Sequence, residues 1–250
     1  MSRSLPATAH PMANIPYDRS SRFAWERFKA TVADIAADFP NPDIIEIGGG
    51  RSPLFAPGEL PGNVASYTIN DISARELKRA PDIWRKACFD ICGELDPQPG
   101  QYDVAFSKML AEHVPDGRRF HANILRLLKP GGVAFHFMPT LYAPPFVLNK
   151  LLPDSLTRPI VAALFPGRDD HGKPKFPAYY SMCSGRSERL IGKYRSIGYD
   201  RVDIRTFFGH DYFRRIPLVR ELDRALSRFA CDHDIHALGA YAYVRLTKAA

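Results

Sequence analysis

Cysteine is scarce in this chain: Cys88, Cys92, Cys183 and Cys231 are all it has. A disulfide framework needs an oxidising compartment, and nothing in the sequence points to export. Cys88 and Cys92 have the spacing of half a zinc site, but no second pair matches them. They read as reduced, packed thiols, and no metal is expected. Long apolar runs are missing too, and none reaches the roughly 18 residues that span a bilayer. The first ten residues lack the apolar core of a secretory signal. These absences predict a cytoplasmic protein without a transmembrane segment. There is no Gly-Lys-Ser/Thr, which excludes a P-loop for nucleoside triphosphates. No internal repeat, low-complexity tract or nucleic-acid-binding module is found, so no specific nucleic acid is expected.

What remains is ordinary in bulk. The chain has 250 residues, 45% hydrophobic and 24% charged, enough to bury one large core. The formal net charge is +7, and residues 186–228 hold 11 Lys/Arg against 6 Asp/Glu. Such an excess reads first as a solvated helical surface. A basic face also suits an anionic membrane, nucleic acid or a phosphorylated substrate, so a weak peripheral membrane contact stays open.

Residues 1–20, with Pro6, Pro11 and Pro16, predict a flexible arm. Trp25, Phe28, Val32, Ile35 and Phe39 recur at three- and four-residue steps, which puts them on one face of a helix over 21–39. Pro40 and Pro42 end it. Strand and helix signals then alternate: strands at Asp43–Ile47, Ala65–Asn70, Lys86–Asp90, Tyr102–Ser107 and Val133–Met138, helices at Ser73–Arg79 and Gly117–Leu128. Ser73 and Glu76 have capping-box spacing. Arg51–Gly62, broken by prolines, leaves room only for a short helix. The stretch 139–185 is proline-rich and aromatic and predicts an insertion or lid. A helix capped by Ser184 or Ser187 ends at Gly198. A strand at Arg201–Phe207, a helical pattern over Asp211–Phe229 and a strand at Ala240–Leu246 complete the chain. Alternating strands and helices predict an α/β sandwich around a mostly parallel sheet.

The most informative segment is Asp43-Ile-Ile-Glu46-Ile-Gly48-Gly49-Gly50. A buried strand stops at three glycines, which leave backbone N–H groups open to a bound group. An acid, Asp71, follows at the end of the next strand, where it can bind ribose hydroxyls. A dinucleotide fingerprint would need its third glycine at Pro53, which disfavours nicotinamide or flavin.

Four elements occur in order: Ile45-Glu46-Ile47-Gly48-Gly49-Gly50; Asn70-Asp71-Ile72-Ser73; Cys88-Phe89-Asp90-Ile91; and Phe106-Ser107 through Glu112-His113 to Lys129-Pro130-Gly131-Gly132. Together they resemble the class I S-adenosylmethionine-dependent methyltransferases of small-molecule or glycan type. The likeness is close over residues 43–140 and loose over 184–246. It implies a Rossmann-like three-layer sandwich with a seven-stranded sheet, the last strand antiparallel, and helices on both faces. It implies one methyltransferase domain over 1–250: the arm 1–20, a cofactor-binding half 21–140, an insertion or lid 141–185, and a part completing the sheet 186–250.

The resemblance also implies the site. S-adenosyl-L-methionine would lie against Gly48, Gly49 and Gly50, with Glu46 orienting the loop or a water near its tail. Asp71 would accept from the ribose hydroxyls and Asp90 from the adenine amine. Ile72 and Ile91 would sandwich the ring, and Ser107 would complete the pocket. Each carboxylate has a structural alternative, capping the helix that follows. His113 is the candidate general base, with packing at a helix start as its alternative. His136 reads as a core histidine, and His171 and His210 match no motif. Tyr142, Tyr179 and Tyr180 either line an acceptor pocket or only pack. Departures from the family are Lys108-Met109 and the prolines after Gly50. No Asn/Asp-Pro-Pro-aromatic sequence follows the fourth strand, which argues against methylation of base amines. The implied function is methyl transfer to a small-molecule, glycan or lipid-precursor acceptor at oxygen. The alternatives are a catalytically silent binding protein of the same fold and a nicotinamide oxidoreductase. Acceptor and oligomeric state are open.

Overall fold

The computed structural model describes residues 18–95, 99–151 and 177–250. Most of the expected arm and much of the expected insertion, including His171, lie outside the described residues. Helix α1 (Ser21–Ala37) begins where the Ser20 hydroxyl accepts the Phe23 N–H, satisfying an amide that has no intrahelical partner. Phe28, Val32 and Ile35 are fully buried, so the predicted apolar face meets the core. Trp25 is 40% exposed and stands at the rim, edge-on to Phe137 and Tyr241.

Seven strands form one sheet: β1 (Asp43–Ile47), β2 (Ser66–Asp71), β3 (Arg85–Cys88), β4 (Tyr102–Lys108), β5 (Leu128–Pro139), β6 (Tyr199–Phe207) and β7 (Tyr241–Lys248). Their order is β3-β2-β1-β4-β5-β7-β6. Strands β1 to β5 pair in parallel, and β7 runs antiparallel to both β5 and β6. This is the expected Rossmann-like arrangement. The order reverses between β1 and β4, the switch point beside which open α/β sheets take their ligands.

Alternation along the strands separates two packed faces. On one, Phe28 of α1 meets the rings of Phe106, Phe135, Phe137 and Tyr243. On the other, α3 (Gly117–Leu127) brings Phe120 and His121 against His136, and α5 (Glu188–Ile197) sets Tyr194 edge-on to His121. Ser187 caps α5 through the Leu190 N–H, and Gly198, at φ 121°, stops it.

Several expected boundaries move. Strand β3 ends at Cys88, which leaves Asp90 in the turn beyond it. Strand β5 starts directly after α3, so Lys129-Pro130-Gly131-Gly132 is the strand's irregular entry, with a register shift between Tyr102 and Val104. A proline is tolerated there because it is near the strand's first residue. No helix forms over 51–65. Phe55, 1% exposed, covers that part of the sheet by standing edge-on to Tyr67 and Phe106. Helix α2 (Ala74–Leu77) is a single turn, and α4 (Pro144–Leu151) follows β5. Helix α6 (Pro217–Asp232) starts at Pro217, six residues later than the pattern suggests, because proline's fixed φ suits a first helical position. All four cysteines are free thiols, and Cys88 is exposed rather than packed.

Candidate functional site

Because β1 to β4 are parallel, the segments that follow them emerge along one edge of the sheet. That edge gathers Gly48–Gly50, Asp71–Ile72, Asp90–Ile91 and the stretch from Lys108 to His113. The glycine turn needs its residue type. Gly50 has φ +50°, and a Cβ there would stand 2.9 Å from Asp71 Oδ2. The side chain it lacks is what lets the acid approach the bare main chain.

The turn's amides are not all open, as the sequence suggested. The Gly48 and Gly49 N–H groups both donate to the Asn70 carbonyl, at 2.9 and 3.0 Å. The Asn70 side-chain amide in turn donates to the Ala87 and Phe89 carbonyls, each at 3.0 Å. One buried asparagine thus braces both the glycine turn and the turn that carries Asp90. Asn123 of α3 adds a second brace by donating to the Ile91 and Gly93 carbonyls. Neither asparagine stood out as a site residue. Asn70 sat inside a quoted motif, but its neighbour Asp71 took the functional reading, and Asn123 belongs to no motif.

Asp71 is part-exposed at the end of β2. Its Oδ1 accepts the Ser73 N–H at 2.8 Å, so it shares the capping of α2 with Ser73, whose hydroxyl accepts the Glu76 N–H. Its Oδ2 faces Gly50. Asp90 is exposed, and its Oδ1 accepts the Cys92 N–H at 2.8 Å. In each acid, one oxygen shapes a turn while the second takes no partner among the described residues. Ile72 is 69% exposed and Ile91 is buried. Ser107 stands apart. It is fully buried, and its hydroxyl lies 2.8 Å from His136 Nδ1, so its side chain belongs to the core face under α3. His136 and His121, both buried, are held by desolvation below the usual imidazole range, His136 down to about 3. His136 is the core residue its position suggested.

Glu46 is buried behind the turn. It accepts the Leu54 N–H at 2.9 Å and the Tyr67 hydroxyl. It therefore holds the Arg51–Leu54 loop in place of a helix. Burial raises its pKa to about 7, against the lowering effects of these two donors and of Lys108. Lys108 lies over the rings of Trp25 and Phe28 at 5.1 and 5.8 Å, a cation–π seat at the same edge. With no helix after Gly50, no helix N-terminus faces the turn. The anchor that dinucleotide pyrophosphates use is therefore missing.

Beyond β4, a 3-10 turn (Ala111–His113) presents Glu112 and His113. A return segment crosses it: Tyr179 and Tyr180 N–H both donate to the Glu112 carbonyl, at 2.7 and 3.1 Å. His113 Nδ1 lies 2.9 Å from the Pro177 carbonyl. A carbonyl only accepts, so Nδ1 carries the proton and Nε2 is the basic nitrogen of the neutral ring. Nε2 is 3.6 Å from Glu112 Oε1. Glu112 is buried, and desolvation raises its pKa to about 7; its Oε2 has no hydrogen-bond partner among the described residues. The sequence reading passed over Glu112, because a buried carboxyl is not legible before burial is known. Tyr142 and Tyr179 are about half exposed, while Tyr180 is buried against Phe146. A cleft of about 490 Å3 lies farther along, lined by Trp25, Glu26, His210, Asp211, Tyr212 and Tyr241 among others.

A family model described as a methyltransferase domain matches residues 18–170. The chain is 32% identical over 102 residues to a Synechocystis 2-methyl-6-phytyl-1,4-hydroquinone methyltransferase, a match covering 38% of this chain and 31% of that protein. It is 27% identical over 97 residues to the chloroplastic tocopherol O-methyltransferase of Arabidopsis thaliana, covering 36% and 28%. The chain thus spans less than a third of the length of these curated relatives. In fold it is similar to the Haemonchus contortus phosphoethanolamine N-methyltransferase 2 solved with S-adenosyl-L-methionine. The TM-score is 0.56 at 15% identity, over 90% of this chain and 53% of that one.

Proposed function

We propose that this chain, which belongs to the methyltransferase domain family, binds S-adenosylmethionine and transfers its methyl group to an oxygen of a small, partly apolar acceptor. The observation that carries this reading is the approach of Asp71 Oδ2 to the bare Gly50, at the edge where the other expected contacts also emerge. A cradle that a single Cβ would fill, with a carboxylate over it, suits a ribose bearing two hydroxyl donors. Asp90 is the acceptor for the adenine amine, and exposed Ile72 offers an apolar flank to the ring. Ser107 is left out of this contact set. When bound, S-adenosylmethionine supplies an electrophilic methyl on a sulfonium sulfur. The chain's own work is alignment and exclusion of water. His113 Nε2 takes the acceptor's proton, and Pro177 holds the ring in the tautomer that leaves Nε2 basic.

The curated relatives carry the names of hydroquinone and tocopherol methyltransferases, which supports an amphipathic phenol or hydroquinone as acceptor class. Calorimetry with purified protein is expected to show cofactor binding on the order of −8 kcal/mol. Radiolabelled methyl transfer to a panel of prenylated hydroquinones then tests turnover. Absence of cofactor binding would remove the proposal. Binding without any transfer across hydroxyl acceptors would favour a silent binding protein instead.

A further inference from the structure

Helix α6 turns its apolar side the wrong way for a core helix. Leu218, Leu222 and Phe229 are 75%, 66% and 52% exposed, and Leu226 lies beside them at 38%. The inward side is made instead by Ala230 and a charged residue, Asp223, both buried. Asp223 Oδ1 lies 3.1 Å from Nε2 of the His210 side chain, which is also buried. From Arg214 to the helix end at Asp232 there are five arginines, at 214, 215, 220, 224 and 228, against three acids. Asp223 is buried, Glu221 is already paired with Arg220 and Arg224, and Asp232 closes the helix at its C-terminus. The outward surface is therefore an apolar stripe with a cationic border.

We propose that this face of α6 docks on an anionic lipid bilayer, with Leu218, Leu222, Leu226 and Phe229 at the acyl boundary and the arginines among the headgroups. A contiguous apolar patch rimmed by polar residues marks an interaction site. An apolar stripe bordered by arginines is the pattern of a helix lying in the membrane interface. Charge decides the occupant. A second copy paired two-fold through this stripe would bring like-charged arginine borders together, whereas an anionic leaflet attracts them. No helix among the described residues is long and apolar enough to cross a membrane, so contact through α6 is peripheral. His210 both lines the 490 Å3 cleft and meets Asp223, which ties the docking helix to the cleft wall.

The test is co-sedimentation of the full chain with vesicles of phosphatidylcholine plus phosphatidylglycerol, against vesicles of phosphatidylcholine alone. The wild-type protein is expected to pellet with the mixed vesicles and to release in high salt. The pairs Leu222→Asp with Phe229→Asp, and Arg224→Glu with Arg228→Glu, should each lower partitioning at least about tenfold. Melting temperature and S-adenosylmethionine affinity should stay unchanged in both pairs. Wild-type protein that stays in the supernatant with mixed vesicles overturns the proposal, as does undiminished pelleting of the Leu222/Phe229 pair. A wild-type dimer that this pair dissociates, with no vesicle binding, would make a second copy the occupant and also overturn it. Loss of vesicle binding with intact cofactor binding leaves the proposed methyl transfer standing, so the two failures are distinguishable.

Discussion

At the scale of single residues, the proposed reaction divides its chemistry between His113 and Asp71. The His113 ring is oriented by the Pro177 carbonyl and by its nearness to Glu112, so its Nε2 is the group that can accept a proton. His113→Gln is expected to lower kcat by about 10²-fold or more while leaving cofactor affinity intact, since general-base removal typically costs that much. Rapid-quench measurement of methyl transfer beside calorimetry checks this, and an equal loss in both would reassign His113 to packing. Asp71→Ala is expected to weaken cofactor binding at least about tenfold, near 1.4 kcal/mol. A calorimetric titration reads that directly, and unchanged affinity rejects the role. Neither residue's place could be completed from sequence. The motif named Asp71, but only coordinates show that one of its oxygens already caps α2 and that the other faces Gly50.

Among the elements, the glycine turn is where a small change reports most. Gly50→Ala would force an L-residue to φ +50°, at a cost of about 1–2 kcal/mol, and would push a methyl to 2.9 Å from Asp71 Oδ2. The expected outcome is a modest drop in melting temperature with at least about a tenfold loss of cofactor affinity. Thermal melts and calorimetry on the same variant check it, and full affinity would mean that the turn does not touch the ligand. Elements whose signals are local were legible in the sequence. Strand β1 has the limits its apolar run predicted, Ser73 caps where its spacing predicted, and of the two serines offered for the later helix it is Ser187 that caps. Elements defined by what covers them were not. Periodicity says that α6 has an apolar side, not that the side faces outward; that is known only from the exposure of Leu218, Leu222 and Phe229 and the burial of Asp223. Likewise the run Lys129-Pro130-Gly131-Gly132 reads as a breaker, yet it lies inside the strand because Leu128 and Val133 on either side of it pair with β4.

Across the whole molecule, two buried acids tie stability to pH. Glu46 and Glu112 both have pKa values raised by burial from an ordinary 4.5 to about 7. Between about pH 4.5 and 7 the folded chain therefore keeps two protons that the unfolded chain releases. Their contribution to stability falls as pH rises through this window and levels off above it, opposed up to about pH 6.5 by His121 and His136, which burial keeps uncharged in the folded chain while the unfolded chain protonates them. Each shift corresponds to about 3 kcal/mol. The carboxyl contribution is read as a difference: the melting temperature of Glu112→Gln relative to wild type should rise from about pH 4.5 to 7 and then flatten. A difference that stays flat over that range would show that the Glu112 carboxyl is ionised in the folded chain.

The two sides of the crevice are joined through one residue, since Asn70 accepts from the glycine turn with its carbonyl and donates to the Asp90 turn with its amide. A ligand that stills one wall must quieten the other. Hydrogen–deuterium exchange at the amides of Gly48 and Gly49 and at those around Asp90 should slow together when the cofactor is added, and Asn70→Ala should uncouple them.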